Sequence, residues 1–294
     1  MIGYAIGAYR RSPFHPHLGR LLALVLTRLV RLYRRGMFVH QVGAFRMNID
    51  LKQRIDTNIY FTGGWEPDTV ATIGKLVPAG GVALDVGANI GFITLVLAGC
   101  VGERGRVIGF EPTAWTYRRL RANVELNGLA QIETVHAGLS DAAELCEEAD
   151  IPYGYWLDNT VATERQSIRM LTLDGYLAEH PVERLDFIKC DTDGMEEKVF
   201  VGGIETLRRF RPALHFELYQ GVASDQVASS ERLLRMLEGI GYDFVHEGSL
   251  VPFADVASVL RELRPGQRAV NVVAMPRPAG ALGISAGVSR EGKW

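Results

Sequence analysis

Val82-Ala83-Leu84-Asp85-Val86-Gly87-Ala88-Asn89-Ile90-Gly91 is the stretch on which the reading of the fold turns. An apolar run ends in a carboxylate, a glycine turn follows, and a helical pattern runs from Phe92 to Gly99. Gly87 permits a tight turn and a close backbone approach to a ligand, and Gly91 lets the helix pack near the strand. The helix N-terminus then offers free N–H groups to an anionic or polar ligand group.

Outward from this unit the same rhythm repeats. Downstream, Arg106–Phe110 reads as a strand, Ala114–Asn127 as a helix closed by Gly128, and Gln131–Ala137 as a third strand. Leu185–Cys190, Ala213–Phe216, Asp243–His246 and Ala269–Ala274 give four more, with helical stretches at about 196–209 and 229–239. Upstream, Trp65-Glu66-Pro67-Asp68 opens a helix running to about Val77, with Pro67 suited to its first turn. Phe38–Val42, Phe45–Leu51 and Asn58–Phe61 read as β-like stretches. Strands alternating with helices predict an α/β fold: a seven-stranded, Rossmann-like parallel sheet with helices on both faces and right-handed crossovers.

Composition narrows the function classes. The chain has 294 residues, 47% of them apolar and 22% charged, near the globular average. Its net charge of −2 makes it no general polyanion binder, and no aromatic-basic stacking motif points to nucleic acid. Three cysteines, Cys100, Cys146 and Cys190, form no CxxC pair, so reduced thiols in a cytosolic compartment fit best. No metal site is required.

The second acidic landmark is Glu111, in Arg106-Val107-Ile108-Gly109-Phe110-Glu111-Pro112, which lies 20 residues after Gly91. That spacing suits a carboxylate accepting the ribose hydroxyls of a nucleoside. The dinucleotide fingerprint GxGxxG is absent, because Ala88 and Asn89 follow the first glycine. A carboxylate at Asp85 would repel a pyrophosphate but suit a ligand bearing an ammonium and a sulfonium. The pattern therefore favours S-adenosylmethionine over NAD.

Three segments stand apart. Residues 1–49 carry eight arginines and no acid. Within them, residues 18–35 read as a helix with Arg20, Arg28, Arg31, Arg34 and Arg35 in a sector of about 120°. Such a helix either packs its apolar face on its own domain or on a second subunit of a homodimer, or lies on an anionic membrane surface. The second alternative would make a cytoplasmic protein peripheral at the inner membrane face. No apolar run spans a membrane, and a signal peptide fits poorly. Ser140–Gln166 is a polar, acidic excursion with Tyr153, Tyr155 and Trp156, read either as substrate contacts over the sheet edge or as a solvated insertion. The tail from Arg277 reads as disordered. The expected divisions are 1–36, 37–80, 81–276 and 277–294.

Several stretches together resemble the FkbM family of S-adenosylmethionine-dependent methyltransferases. They are Gly64–Pro67, Leu84–Phe92, Gly109–Thr113, Ala122–Gly128, Leu171–Leu177, Leu185–Asp191 and Arg211–Glu217. The resemblance implies the class I methyltransferase sheet with an antiparallel last strand. It implies that Asp85, Gly87, Asn89 and Gly91 line the methionine part of the cofactor. By the same resemblance Glu111 holds the ribose, Pro112 and Thr113 flank the adenosine, Ser140 and Asp141 sit near the adenine, and Glu66 helps close the pocket. The family's Asp-Val-Glu-Gly run is here Asp191-Thr192-Asp193-Gly194, one carbon shorter at its second acid.

The expected activity is O-methylation of a hydroxyl on a sugar, glycolipid, polysaccharide or natural product. Candidate bases at the carboxyl ends of strands four and five are Asp191, Asp193, His215 and Glu217; Asp191 or Asp193 is the expected base or orienting carboxylate, with His215 read as a structural strand residue. Asp191, Asp193 and Glu217 have the chemistry of a carboxylate cluster suited to a hard cation, although no metal is demanded. The alternatives are a NAD-dependent oxidoreductase and a non-catalytic interaction module on the same fold.

Overall fold

In the computed structural model, residues 36–155, 161–219, 224–263 and 269–278 are described. The basic helix read over 18–35, Trp156, and the tail beyond 278 lie outside them.

The described chain opens with the hairpin β1 (Phe38–Val42) and β2 (Phe45–Ile49), followed by α1 (Arg54–Thr62) and α2 (Pro67–Leu76). Next come β3 (Val82–Val86), α3 (Phe92–Val101), β4 (Arg106–Phe110), α4 (Ala114–Asn127) and β5 (Ile132–Val135). A side sheet contains β6 (Gly138–Leu139), β7 (Glu144–Tyr155) and β8 (Val161–Leu171). Then follow α5 (Leu173–Glu179), β9 (Phe187–Cys190), α6 (Glu196–Val201), α7 (Ile204–Phe210) and β10 (Ala213–Tyr219). The described elements close with α8 (Ser224–Gly239), β11 (Tyr242–His246), α9 (Val256–Glu262) and β12 (Ala269–Pro276).

The main sheet has seven strands in the order β11-β12-β10-β9-β3-β4-β5. The pairs β3/β4, β4/β5, β3/β9 and β9/β10 are parallel, and β12 runs antiparallel to both β10 and β11. The chain leaves β3 toward β4 and β5, then returns to the other side of β3 to lay down β9. The strand order therefore reverses between β3 and β9, which is where open α/β sheets bind ligands.

Period-two alternation sorts the strand residues onto two faces. Leu84, Val86, Ile108, Phe110, Ile188, Leu214 and Phe216 pack with α5 through α9 in the larger core. Ala83, Val107, Phe187 and Ala213 pack with Ile73 of α2 and with Ile93 and Leu97 of α3. A third cluster joins Met47, Ile49 and Ile59 to Ile90 and Leu95, seating the hairpin and α1 against the end of the glycine loop. The Arg119–Asp56 ion pair, with both side chains at most 5% exposed, ties α4 to α1.

Two readings are corrected. Asn58–Phe61 is not extended but part of α1, because Ile55 and Ile59, four residues apart, turn inward together onto the hairpin core. The stretch at 196–209 is two helices broken at Gly202-Gly203. A Cβ on Gly202 would lie 2.0 Å from the carbonyl oxygen of Ser140, so a close backbone crossing occupies the break. The polar excursion after Ser140 is largely the β7/β8 antiparallel hairpin, and α5 and α9 were not foreseen.

Candidate active site

Each central strand changes from apolar to polar as it nears its carboxyl end on the α2–α3 face. The series run Ala83, Asp85, Gly87 on β3; Val107, Gly109, Glu111 on β4; Phe187, Lys189, Asp191 on β9; and Ala213, His215, Glu217 on β10. Cα register places Gly109 beside Asp85, Asp85 beside Lys189, and Lys189 beside His215. A buried polar row thus crosses the sheet beneath a second row at its rim.

The lower row is matched internally except at Asp85 Oδ1 and His215 Nδ1, which are buried without a hydrogen-bond partner. Asp85 is 0% exposed; its Oδ2 accepts a hydrogen bond from Thr94 Oγ1 at 2.6 Å. Lys189 Nζ lies 3.6 Å from Asp85 Oδ1, 3.2 Å from Asp191 Oδ2 and 3.3 Å from the Gly87 carbonyl oxygen. Burial opposes the lysine's charge, but Asp191, Asp85 and Glu66 outweigh it and hold its pKa above the usual lysine range. Burial raises Asp85, with Lys189 and Thr94 pulling the other way. At the far end of the row, His215 Nε2 pairs with Glu247 Oε1 at 2.8 Å, and Thr69 Oγ1 donates to the same oxygen at 2.7 Å. His215 is thus held in a buried structural network.

The upper row borders a cleft of about 340 Å³ at the β3/β9 reversal. Its walls include Gly87, Asn89, Lys189, Asp191, Asp193 and Glu217, together with Glu66, Trp65, Phe92 and Arg54. Trp65 Nε1 donates to Glu66 Oε1 at 2.7 Å. Burial raises the pKa of Glu66, opposed by Lys189 and reinforced by Asp191. Burial and then Asp191 raise Asp193. Glu196 Oε1 accepts from Thr192 N at 2.8 Å and from Thr192 Oγ1 at 2.9 Å, fixing the loop that carries Asp191 and Asp193.

Three wall residues, Glu66, Asn89 and Asp193, have φ of 48°, 50° and 54° without being glycine. Left-handed backbone at such residues costs of order 1–3 kcal/mol each and clusters at ligand sites. Asn123 on α4 holds the glycine loop from behind, its Nδ2 donating to the Ile90 carbonyl at 2.8 Å.

Of the sequence-predicted residues, Glu66, Gly87, Asn89, Asp191 and Asp193 meet at this cleft. Asp85 does not reach it. Its carboxylate lies below the floor, with Oδ2 bonded to Thr94 and Oδ1 facing Lys189 at 3.6 Å without a hydrogen bond, and it does not line the cleft as expected. Gly91 also stands back from the wall, with φ of 91° and a hypothetical Cβ 2.7 Å from Leu120 Cδ1. Its role is helix packing.

Glu111 sits at the end of β4 and is 6% exposed. Its Oε2 accepts from Asn89 N at 2.9 Å; its Oε1 accepts from Thr113 N at 2.9 Å and from Thr116 Oγ1 at 2.7 Å. A carboxylate has about four acceptor positions, so about one is left for a ribose hydroxyl, not two. Pro112 lies near β6, its Cβ 3.4 Å from where a Cβ on Gly138 would be. Ser140 is buried and donates from its Oγ to Asp141 Oδ1 at 3.0 Å, while Asp141 is exposed. Neither Ser140 nor Asp141 lines the cleft.

Sequence reasoning missed Lys189, Trp65 and Arg54. Lys189 had a signal: a lone cation inside an otherwise apolar strand, in register with a buried acid. Among the described residues, no group of three or more His, Cys, Asp or Glu side chains is arranged to hold a metal ion. Asp191, Asp193 and Glu217 therefore do not form a hard-cation cluster.

This strand order, with a glycine-loop cleft at the reversal, defines the chain as a class I methyltransferase-type α/β domain. The chain belongs to the FkbM methyltransferase family: the Methyltransferase FkbM domain matches residues 85–244. It is 26% identical over 257 residues to the AMB antimetabolite synthetase AmbE of Pseudomonas aeruginosa, a match covering 71% of this chain and 12% of that protein. The chain thus spans a small part of that relative's length. Among solved structures it is similar to methyltransferase FkbM from Methylobacillus flagellatus, at 17% identity and TM-score 0.40, covering 74% of this chain and 52% of that one. It is also similar to a SAM-dependent methyltransferase from Aquifex aeolicus, at 19% identity and TM-score 0.40, covering 72% and 94%. Among the described residues, no helix is long and apolar enough to cross a membrane.

Proposed function

We propose that the chain binds S-adenosylmethionine in this cleft and methylates a hydroxyl of a sugar, glycolipid, polysaccharide or natural product. One observation carries the reading: the cleft is charge-unbalanced. Lys189, shared by Asp85 and Asp191, and Arg54 are outnumbered by Asp85, Glu66, Asp191 and Asp193, with Glu217 a fifth acid at the opening. Such a wall repels a pyrophosphate and complements a ligand carrying ammonium and sulfonium charges. It disfavours NAD on firmer ground than Asp85 alone.

When bound, S-adenosylmethionine supplies an electrophilic methyl group. The protein's part is to place the acceptor oxygen in line with that methyl and to exclude water. Trp65 and Phe92 give the cleft aromatic surface beside hydrogen-bonding acids, a combination that fits the C–H face and hydroxyls of a sugar ring. Kinship with an antimetabolite synthetase keeps small natural products in the acceptor class. Asp191, paired with Lys189, is suited to orient the acceptor hydroxyl, and Asp193 stands beside it.

Calorimetry should detect binding of S-adenosylmethionine to the full chain. Glu111→Gln, which sets an amide N–H₂ against the Asn89 or Thr113 N–H, should weaken it by roughly tenfold or more. No binding by the intact chain would overturn the reading. Asp191→Asn and Asp193→Asn should cut S-adenosylhomocysteine release on an accepted glycan by at least about tenfold, a far larger loss than that in donor affinity. Undiminished release in both would remove these two from the reaction.

A further inference from the structure

Glu217 is an acid of the cleft wall to which the proposed function gives no part in the proton transfer. It lies at the carboxyl end of β10 and opens onto the same space as Gly87 and Asn89. Among the described residues, no hydrogen bond or ion pair engages its carboxyl group. Charged neighbours bear on it from several elements. Asp191 and Asp193 follow β9, Glu196 opens α6, and Glu66 precedes α2. On its other sides stand neutral groups: Asn271 in register on β12, and Ser229 and Ser230 of α8. Glu197, near α8, is paired with Arg232. The cations in the cleft are Lys189, already shared by Asp85 and Asp191, and Arg54 on α1.

We propose that Glu217 takes the proton of the acceptor hydroxyl, and that the positive charge of the bound methyl donor readies it to do so. This rests on the methyl-transfer reading of the cleft. Burial first, and then Asp191, Glu196, Asp193 and Glu66, push the Glu217 pKa up to about 8. In the empty cleft at neutral pH the group is therefore mostly protonated and cannot act as a base. A sulfonium and an ammonium set among these acids lower its proton affinity, and the carboxylate forms.

The acceptor oxygen then bonds to the methyl carbon as the carbon–sulfur bond breaks, with both electrons of that bond going to sulfur. The hydroxyl proton passes to the Glu217 carboxylate. Loss of the sulfonium charge in that step raises the proton affinity of Glu217 again, when the proton must be accepted. The proton stays on Glu217 in the emptied cleft and leaves to water when the next donor binds.

The test needs no known acceptor. S-adenosylmethionine and, separately, S-adenosylhomocysteine are titrated into the full chain by calorimetry, in phosphate and in Tris. The difference between the buffers counts protons. At pH 7.5 roughly half a proton or more should be released per S-adenosylmethionine bound, and far less with the thioether product. The release should fade by about pH 9.5, where free Glu217 is already ionised. Glu217→Gln should still bind the donor, within about tenfold, and release almost none.

Binding without proton release, equal release with donor and product, or unchanged release in Glu217→Gln overturns the proposal while leaving the cleft a donor site. Absence of donor binding overturns the methyl-transfer reading itself. Should Glu217→Gln not fold, the wild-type contrast between donor and product, followed against pH, decides the matter.

Discussion

Gly87→Ala should cost the fold at least about 3 kcal/mol, or roughly 10 °C in melting temperature, and abolish donor binding. Two effects add. Gly87 has φ of +80°, which a Cβ disfavours by about 1–2 kcal/mol. The larger effect is steric, because the new Cβ would lie 1.9 Å from the Asp191 carbonyl oxygen. That oxygen is backbone, at the end of β9, and Asp191 N already donates to the Val86 carbonyl at 3.0 Å. Relief requires β3 and β9 to part at the cleft floor. Gly128→Ala separates the two effects, since Gly128 has φ of +62° and nothing within 4 Å of its hypothetical Cβ. It should lose only the conformational part, about 1–2 kcal/mol. Equal losses for the two variants by thermal melting would show that the approach of Asp191 is not what makes Gly87 necessary.

Lys189→Met should destabilise the protein by about 3–5 kcal/mol near neutral pH, because Asp85 is left as a buried carboxylate without its cation. The sign of its pH dependence follows from Asp85. Burial raises its folded pKa, so its ionisation works against folding and the cost is present above that pKa. As pH falls through the folded pKa, Asp85 takes a proton and the variant should approach wild type. For Lys189, whose folded pKa is raised, the stabilising contribution is full below the unfolded lysine value and declines only as pH rises through the folded one. Wild type should recover less in acid than the variant, because Lys189 holds down part of the rise that burial imposes on Asp85. Asp85→Asn combined with Lys189→Met removes both charges and should regain most of the loss, although Asp191 still lacks its partner at the rim. A double variant as unstable as Lys189→Met in denaturant titration would mean that packing, not charge, is what Lys189 contributes.

Much of the sheet was legible because its signals are local. Arg106–Phe110 and Ala114–Asn127 end where the sequence predicts, the helix closed by Gly128 at φ of 62°. The errors arise where tertiary contacts override local preference. Asn58–Phe61 has strand-like residues, but its neighbours require Ile59 to dock as one turn of a helix. The break at Gly202 is set by Ser140, far away in the chain. The hairpin of β7 and β8 hides behind its polarity, although alternation from Arg165 to Met170 is visible in its burial.

The site was legible by position and less so by role. Strand parity identifies Asp85, Lys189 and His215 as one row and Gly87, Asp191 and Glu217 as the next. Sequence cannot say which row is open to ligand. Asp85 was placed in the cavity because a carboxylate in a motif invites a partner from outside. Its partner is a lysine on the adjacent strand, about a hundred residues away, joined to it by the sheet register.

The three left-handed positions in the wall have a practical consequence for engineering. Glu66, Asn89 and Asp193 would each be relieved by glycine. A library ranked on heat resistance alone would enrich such replacements and discard, one by one, the side chains that line the cleft. Thermal robustness and turnover pull this rim in opposite directions, so both must be scored together.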